Sequence, residues 1–304
     1  MNSANLKKNF IKKKVSKSQF INKMFNNYLI LENIKKLLKN DGINNISINN
    51  KEIIFNYQNR FHFVMDKLDK RAFPIEFMNF GNYEKNCVNF FKKIIKNQRV
   101  VFDVGANIGF YSMLFEKINS KIEIFSFEPV KETFIKLKKN IKYNNLRTKI
   151  YNFGFHDKKG IKNIFFDKLN SAAASLKNTQ GTKNRVKIKL NTIDYFVLNK
   201  KISRLDFIKC DVEGAEYFVI KGAQKTIRKF KPILFFEILR KFCKLYKYSP
   251  NQILFNLRSH GYRCFEIKND YIKEINKITD KTISTNFLFL HSLQHLKLIK
   301  KFCK

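Results

Sequence analysis

The segment Val100 to Ser112, with the sequence VVFDVGANIGFYS, constrains the fold of this chain more than any other segment. An apolar, β-branched run reaches Asp103, and a glycine-bearing turn then leads into a helix that begins at Phe110. Glycines in such a turn allow the backbone to approach another group closely. The pattern predicts a buried parallel strand whose end faces a ligand. The turn residues that carry it are Gly105, Asn107 and Gly109.

The carboxylate in front of the first glycine limits what this ligand can be. A dinucleotide-binding turn brings a helix N-terminus onto a pyrophosphate, and the carboxylate of Asp103 would repel phosphate there. It favours a cationic ligand instead. S-adenosylmethionine carries a sulfonium and an ammonium group and has no phosphate, so it meets both conditions. The sequence therefore predicts a methyl-donor site at this turn.

After this turn the chain alternates strands and helices, which is typical of an α/β fold with a doubly wound, mostly parallel sheet. The stretch from about Gly160 to Leu190 is less regular and has the composition of turns. The other predicted strands are Lys121–Phe127, Lys149–Phe155, Leu205–Cys210, Pro232–Phe236, Tyr262–Ile267 and Asn286–Leu290. The predicted helices are Phe110–Ile118, Lys131–Tyr143, Ala215–Arg228 with an interruption at Gly222, and Pro250–Ser259.

The residues before this alternation are expected to form an N-terminal extension. Their apolar residues recur first at helical spacing and then in strict alternation. The first predicted part is a basic amphipathic helical extension over 1–48, whose helices end at Asp41-Gly42. A β-hairpin and lead-in helix over 49–97 follow, and then a main domain over 98–304, in which the C-terminal strands complete the sheet. The hairpin is expected within Ile46–Val64, turning near Gln58-Asn59, and the lead-in helix over Tyr83–Lys96.

The formal net charge is +37, from 61 basic and 24 acidic residues. Such a charge usually indicates a polyanionic partner. Here 51 of the basic residues are Lys and only 10 are Arg, although Arg matches phosphate better. The charge is also spread over all segments, which favours a codon bias and a solvated surface over nucleic-acid recognition. Weak attraction to anionic membrane surfaces or anionic glycans should follow from the charge alone.

Membrane proteins, secreted proteins and disulfide or zinc scaffolds are disfavoured. No apolar run reaches the roughly 18 residues of a membrane helix, and the basic N-terminus lacks an apolar signal core. This predicts a cytoplasmic protein. The five cysteines form no CxxC pair, and His291 and His295 have no further ligand close in sequence.

Four predicted strands end in a carboxylate, and these ends meet at one edge of a parallel sheet. They are Asp103, Glu128, Asp211 and Glu237. Glu128 lies 19 residues beyond Gly109, where a carboxylate can accept hydrogen bonds from a ribose diol. The alternative is a solvated acid before a proline turn. Phe155 and Asp157, at the end of the third strand, would lie at an adenine edge, although an ordinary turn aspartate is an equal interpretation.

The segment IKCDVEGAE, residues 208–216, is the second dense site. Lys209 and Asp211 are two apart on a strand and so project to one face. A lysine in an apolar strand is costly unless it is paired, and Asp211 or Glu237 can pair with it. The functional interpretation is that this cluster orients an acceptor hydroxyl and takes its proton. The alternative is a structural ion pair with Lys209 extended outwards, and Glu216 is expected to be only a first-turn acid.

The blocks FDVGANIGFYS, FSFEP, FIKCDVEGAEYFVIKGA and PILFFE resemble, in order and spacing, the FkbM-type methyltransferases over about residues 80 to 240. The resemblance implies a seven-stranded Rossmann-like enzyme that uses S-adenosylmethionine to methylate hydroxyls of sugars or natural products. It implies cofactor contacts for Asp103, Gly105, Asn107, Gly109 and Glu128, and it places Lys209, Asp211 and Glu213 beside the transferred methyl. The chain departs from the family at Gly154-Phe155-His156-Asp157, where a small aliphatic pair often precedes the Asp.

The sequence thus predicts an S-adenosylmethionine-dependent O-methyltransferase whose acceptor is a sugar, a glycan precursor or a related small molecule. Asp211 is the expected base, and Lys209 is expected to hold the acceptor oxygen. Glu213 and Glu237 could instead gather Mg²⁺ together with Asp211. The alternatives are an RNA 2′-O-methyltransferase, which would use the basic surface, and a non-catalytic basic binding module on the same fold.

Overall fold

The structure is a computed structural model that describes residues 3–38, 42–58, 60–81, 84–178 and 181–304. Its strands are β1 (Ile43–Ile48), β2 (Ile53–Tyr57), β3 (Phe61–Val64), β4 (Val100–Val104), β5 (Glu123–Phe127), β6 (Lys149–Tyr151), β7 (Gly154–Phe155), β8 (Gly160–Asp167), β9 (Asn170–Ser175), β10 (Arg185–Asn191), β11 (Phe207–Cys210), β12 (Ile233–Glu237), β13 (Tyr262–Ile267), β14 (Ile272–Ile275) and β15 (Asn286–His291). Its helices are α1 (Ser3–Ile11), α2 (Lys17–Leu37), α3 (Phe73–Phe80), α4 (Lys85–Ile94), α5 (Phe110–Ile118), α6 (Lys131–Tyr143), α7 (Ile193–Asn199), α8 (Glu216–Lys221), α9 (Gln224–Phe230), α10 (Arg240–Leu245), α11 (Pro250–Arg258) and α12 (Leu296–Phe302), with a 3₁₀ turn at Ile95–Asn97.

The central sheet has eight strands in the order β14-β13-β15-β12-β11-β4-β5-β6. The strands from β6 to β12 in this order are parallel, and β15, β13 and β14 are antiparallel to their neighbours. The predicted α/β fold is confirmed, and most predicted strands agree to within about two residues at each end. The sheet has one strand more than the seven predicted. The extra strand, β14, is a short edge strand with charged residues, which gave no clear period in the sequence.

Successive residues of the parallel strands pack into two separate apolar cores, one on each face of the sheet. Val101 of β4 and Phe207 of β11 lie in one core with helices α4 and α5. Phe102 of β4 and Ile208 of β11 lie in the other core with α7, α8 and α9. Burial on both faces explains why these strands are continuous apolar runs in the sequence.

The prediction of a single third strand over Lys149–Phe155 is wrong. The chain leaves the central sheet after Tyr151 and joins a second sheet at Gly154. This second sheet has the order β7-β10-β8-β9 and is formed by the segment predicted to be irregular. Alternate residues of β8 and β10, among them Ile164 and Ile188, pack against Val130 in a small core of their own.

The N-terminal prediction is correct in kind and differs in detail. Two helices form, and α2 ends at Leu37, whereas Asp41 of the predicted helix end lies outside the described residues. The predicted hairpin is a three-stranded antiparallel sheet, β1-β2-β3. The turn at Gln58 is confirmed, while Asn59, and Tyr83 at the start of the lead-in helix, lie outside the described residues.

This small sheet packs on the main core through Asn140 of α6 and Asn144, which directly follows α6. Asn140 accepts a hydrogen bond from the backbone of Val64, and Asn144 bonds to both backbone groups of His62. Phe63 lies in the same apolar core as Val101 of the central sheet. The domain boundaries at residues 48 and 97 remain proposals. Among the described residues, none of the helices combines the length and the apolar character that a membrane crossing requires.

The predicted interruption at Gly222 is confirmed, because α8 ends at Lys221 and α9 begins at Gln224. A Cβ at Gly222 would lie 2.1 Å from the carbonyl oxygen of His156. The glycine therefore allows the helix to meet the backbone that enters the second sheet.

Candidate functional site

A cavity of about 600 Å³ opens at the carboxyl ends of the parallel strands. Its lining includes Val104 at the end of β4, Glu128 after β5, Asp211 after β11 and Glu237 at the end of β12. The strand order reverses between β4 and β11. Open α/β sheets bind their ligands at this edge and at this reversal.

The glycine turn brings the ends of β4 and β11 into backbone contact. Gly105 has a φ of +76°, and a Cβ there would lie 1.8 Å from the carbonyl oxygen of Asp211. The amides of Gly105 and Ala106 both donate to the carbonyl oxygen of Phe127, at the end of β5. Only glycine fits this position, so the two sequence motifs meet here through their main chains.

Glu128 is fixed at the cavity wall by two backbone donors. Its carboxylate accepts hydrogen bonds from the amide of Asn107 at 3.0 Å and from the amide of Val130 at 2.9 Å. Burial raises the pKa of Glu128 to about 7, although both amides act in the opposite direction. Each oxygen keeps acceptor capacity for a hydroxyl donor from a ligand.

Asn107 gives the clearest indication that this turn binds a ligand. Its backbone has a φ of +49°, in the left-handed region that a side chain seldom adopts. Its Oδ1 atom is buried and has no hydrogen-bond partner among the described residues. A buried acceptor without a donor is costly, and a bound ligand with N–H or O–H groups would satisfy it.

Asp103 lies close to this site but does not line the cavity. It is fully buried, and its Oδ2 atom accepts a hydrogen bond from Ser112, which also bonds to Ser126. Its Oδ1 atom lies 3.8 Å from the ammonium of Lys209. The structure therefore directs the negative charge of Asp103 to a lysine of the protein, whereas the sequence interpretation directed it to the ligand.

Lys209 is the central cation of the site. Only 3% of it is exposed, and its ammonium donates to Asp211 Oδ2 and to the carbonyl oxygen of Gly105, each at 3.2 Å. Burial alone would lower the pKa of Lys209, but the carboxylates of Asp211, Asp103 and Glu84 outweigh it and raise the pKa above its ordinary value. The lysine does not extend outwards, and its charge is held at the cavity.

Asp211, the partner of this lysine, lies in a group of three carboxylates at the cavity wall. One oxygen each from Asp211, Glu213 and Glu237 lies within 4.8 Å of the other two. Burial, followed by the charge of Asp211, raises the pKa of Glu213 to about 9 and that of Glu237 to about 11. Acids so close together share protons at neutral pH or need another cation beside Lys209.

Glu216 is more than a first-turn acid, because it shapes the turn that carries Glu213. It is 1% exposed, and its Oε1 atom accepts hydrogen bonds from the amides of Val212 and Gly214, each at 3.1 Å. Tyr248 also donates to it. This buried carboxylate stabilises the backbone that presents Glu213 to the cavity, where Glu213 has a φ of +55°.

Two residues that the sequence interpretation missed lie near Lys209 in the cavity lining. Glu84 precedes α4, lines the cavity and accepts a hydrogen bond from Tyr111 of α5. The ammonium of Lys209 lies 5.4 Å from the centre of the Tyr111 ring. Tyr111 stands inside the glycine motif and could have been noticed, but nothing near Glu84 in the sequence signals its position.

The lining of the cavity includes segments from two distant parts of the chain. Arg71 and Glu76 line it and form an ion pair with a separation of 2.8 Å. Asp69, which is buried, accepts a hydrogen bond from Ser171 of β9, and the amide of Lys70 donates to Leu169. The residues before α3 and the hairpin β8–β9 are therefore joined across the cavity.

Most of the predicted site residues come together at this cavity, and three do not line it. The residues that line it are Gly105, Asn107, Glu128, Phe155, Lys209, Asp211, Glu213 and Glu237. Asp103 is buried behind it, Gly109 packs toward Leu137 of α6, and Asp157 pairs with His156. Asp157 follows the short strand β7 of the second sheet, because the third strand ends earlier than predicted.

The methyltransferase FkbM domain matches residues 103–264, which is more than half of the chain. The match begins at the aspartate of the glycine motif and extends further toward the C-terminus than the predicted range of about 80 to 240. It covers both dense motifs and the second sheet between them.

A curated relative, the hexuronic acid methyltransferase AglP of Haloferax volcanii, is 26% identical over 145 residues. The aligned part covers 48% of this chain and 58% of that protein. The chain therefore spans less than two thirds of the relative that it matches.

Among solved structures, the methyltransferase FkbM of Methylobacillus flagellatus KT has a TM-score of 0.40 and 18% identity, with 63% of this chain and 43% of that chain covered. The precorrin-6y C5,15-methyltransferase of Geobacter metallireducens GS-15 has a TM-score of 0.38 and 12% identity, with 76% and 93% covered. The domain match alone covers enough of the sequence to assign a family. On that ground, this chain belongs to the FkbM methyltransferase family.

Proposed function

We propose that this protein transfers a methyl group from S-adenosylmethionine to a hydroxyl group of a sugar, a glycan precursor or a related small molecule. The observation that carries the proposal is that one cavity joins two chemically different sets of residues. One set, with Asn107 and Glu128, offers acceptor atoms to a ligand rich in N–H and O–H groups. The other set, with Lys209 and Asp211, can hold and deprotonate a hydroxyl.

The first set fits S-adenosylmethionine. The carboxylate of Glu128 would accept hydrogen bonds from the ribose hydroxyls, and the unpartnered Oδ1 of Asn107 would accept one from a donor group of the same ligand. Phe155, which is 2% exposed, supplies an apolar wall beside Gly154. Bound there, S-adenosylmethionine supplies a methyl group on a positively charged sulfur that leaves readily.

The second set acts on the acceptor. Lys209 is held charged and has three donor hydrogens, of which Asp211 and the Gly105 carbonyl take two. The remaining hydrogen can orient an acceptor oxygen. Asp211, 30% exposed in its side chain, is then placed to remove the hydroxyl proton. A positioned base contributes about 100-fold or more to such a reaction.

The charge of the cavity favours a small acceptor without phosphate groups over RNA. On a chain of net charge +37, the lining includes more acidic than basic residues. Phosphates near the acceptor site would be repelled by these carboxylates. The acidic residues are Glu76, Glu84, Glu128, Asp167, Asp211, Glu213 and Glu237, and the basic ones are Arg71, Lys209 and Lys241. The sugar acceptor is further supported by the name of the relative, which is a hexuronic acid methyltransferase.

A divalent cation at Asp211, Glu213 and Glu237 is the second part of the proposal. Oxygen ligands suit Mg²⁺, and a cation there would offset the burial and the mutual repulsion that raise the pKa of Glu213 and Glu237. Treatment with EDTA followed by added Mg²⁺ tests this part. Activity that falls and then returns supports the cation, and unchanged activity removes it from the proposal.

The main experiment measures transfer of radiolabelled methyl groups from S-adenosylmethionine to panels of neutral sugars, uronic acids, sugar phosphates and RNA. We expect label in a hydroxyl-bearing sugar and none in RNA. Label in RNA, with transfer that falls steeply as salt rises, would instead support the RNA 2′-O-methyltransferase. A folded protein that binds neither donor nor acceptor would support the non-catalytic module.

A further inference from the structure

The N-terminal helices α1 and α2 form a hairpin with its own stabilising contacts. The rings of Phe10 and Phe20 stack with their centres 4.6 Å apart. Ser16 begins α2 with a capping box, in which its side chain accepts from the Gln19 amide and the Gln19 side chain accepts from the Ser16 amide. The ring stack joins the two helices, and most of the surface of α2 stays exposed.

One exposed face of α2 carries an apolar stripe over residues 21–29, and Ile30 and Leu31, 55% and 51% exposed, add apolar surface on its other faces. Ile21, Phe25, Tyr28 and Leu29 are 52%, 57%, 57% and 46% exposed, respectively. At about 100° per residue they project within about 100° of one another around the helix axis. Four large apolar side chains at this exposure are more than the isolated surface hydrophobics that a folded chain normally carries. The stripe therefore indicates an apolar partner.

The same hairpin is strongly basic. Residues 3–38 contain nine lysines and one acidic residue, Glu32, which pairs with Lys35 at 2.8 Å. Lys12, Lys13 and Lys14 lie together in the connection between the two helices. Exposed apolar side chains and clustered lysines on one hairpin are the two kinds of group that an anionic membrane surface can bind at the same time.

We infer that the α1–α2 hairpin binds the surface of a membrane that contains anionic lipids. The apolar stripe would enter the boundary between headgroups and acyl chains, and the lysines would contact the anionic headgroups. This inference does not depend on the proposed function, because it uses no residue of the cavity.

Two other partners fit the hairpin less well. RNA would use the lysines and leave the apolar stripe in water. A second copy of the chain would cover the stripe, but it would bring two sets of nine lysines together. An anionic lipid surface satisfies the apolar stripe and the charge at the same time.

The test is sedimentation of the full chain with phosphatidylcholine vesicles that contain or lack phosphatidylglycerol. Ile21→Gln with Phe25→Gln removes half of the stripe without changing the charge. The matched control is Asn26→Gln with Asn33→Gln, two exposed positions outside the stripe. We expect binding only to the anionic vesicles, a loss of about tenfold or more in the stripe variant and no loss in the control.

A third variant separates the charge from the stripe. Replacement of Lys12, Lys13 and Lys14 by Gln should weaken binding about a hundredfold at low salt, with a smaller loss at high salt. Calorimetric binding of S-adenosylmethionine and circular dichroism check that every variant folds alike, because none of these residues lies in the cavity.

Four results would overturn the inference. One is wild-type protein that does not bind anionic vesicles. Another is an equal loss of vesicle binding in the stripe variant and its control. The third is a dimer in analytical ultracentrifugation that the stripe variant dissociates while lipid binding is unchanged, which would assign the stripe to a second copy. The fourth is binding to RNA, retained in the stripe variant, without binding to lipid. It would assign the lysines to nucleic acid.

Discussion

The proposed donor side of the cavity comes mainly from two neighbouring strand ends, and the proposed acceptor side comes from several separate segments of the chain. The glycine turn after β4 is joined to Glu128, after the adjacent strand β5, by the hydrogen bond from the Asn107 amide. On the acceptor side, Arg71 and Glu84 precede the central sheet, Ser171 belongs to the second sheet, and Asp211 follows β11. The first arrangement depends on neighbouring strands, and the second depends on the complete fold.

This difference indicates how many substitutions each side of the cavity can tolerate. The donor side is fixed by backbone geometry, since one turn must leave room for a ligand and for another main chain at once. The acceptor side is formed by side chains on segments that surround the sheet, and such segments can change while the scaffold is kept. We therefore expect the donor site to tolerate few substitutions and the acceptor site to determine which hydroxyl is methylated.

The largest effect is expected at Gly105, where the two sides touch. In Gly105→Ala the new Cβ would lie 1.8 Å from the Asp211 carbonyl oxygen, at a φ of +76°. We expect a loss of about 3 kcal/mol or more in the free energy of unfolding, because neither backbone can move aside cheaply. Denaturant unfolding measures this loss.

Gly109→Ala is the matched comparison for that variant. It also has a positive φ, of +95°, but its Cβ would meet only the flexible Cδ1 ends of two side chains, Leu137 at 2.7 Å and Ile141 at 3.7 Å. A loss of about 1–2 kcal/mol is expected there. Equal losses at the two glycines would contradict the contact between the donor and acceptor sides.

Asp211→Asn tests whether the two sides of the cavity have separate functions, because it should change methyl transfer and not donor affinity. We expect methyl transfer to fall about 100-fold or more, because the amide cannot accept the hydroxyl proton. The affinity for S-adenosylmethionine should stay within about twofold, because the donor residues are untouched. Single-turnover kinetics and calorimetry measure the two quantities, and normal turnover would disqualify Asp211 as the base.

Glu128→Gln should affect the opposite side. Loss of a charged acceptor for the ribose hydroxyls is expected to weaken donor binding by about 10- to 100-fold. Asp157→Asn is the control, since Asp157 pairs with His156 and does not line the cavity. If Asp157→Asn weakens donor binding and Glu128→Gln does not, the assignment of Glu128 to the donor site is wrong.

The smallest effect is a dependence of donor affinity on pH. The pKa of Glu128 in the donor-free protein is raised to about 7 by burial, so its carboxyl holds a proton below that pH. The donor's hydroxyls require the ionised form, and affinity should fall by up to about tenfold for each pH unit below about 7. Calorimetry of wild type and Glu128→Gln tests this, because the variant should lose the dependence.

The central sheet and the donor side were largely predictable from the sequence, because both are local. The strand that ends at Asp103, the glycine turn and the carboxylate of Glu128 each occupy a few neighbouring residues. Lys209 was also predictable, since a lysine in a buried strand needs a carboxylate partner. The resemblance to the FkbM family added the order of the motifs.

The remaining features depend on contacts between distant segments. The second sheet was not recognised because β9 carries small residues and β8 begins with exposed ones. Glu84 reaches Tyr111 only through the packing of α4 on α5, and no local pattern reports that packing. The sequence interpretation paired the charge of Asp103 with the ligand. The sequence alone does not show whether this buried carboxylate faces a bound cation or the ammonium of Lys209.

The central claim is that the turn after β4 binds a cationic methyl donor beside Lys209 and Asp211. Equilibrium dialysis of folded wild-type protein with radiolabelled S-adenosylmethionine tests it most directly. We predict uptake of about one equivalent, displaced by S-adenosylhomocysteine and unaffected by NADH. Retention of NADH without uptake of S-adenosylmethionine would contradict the account.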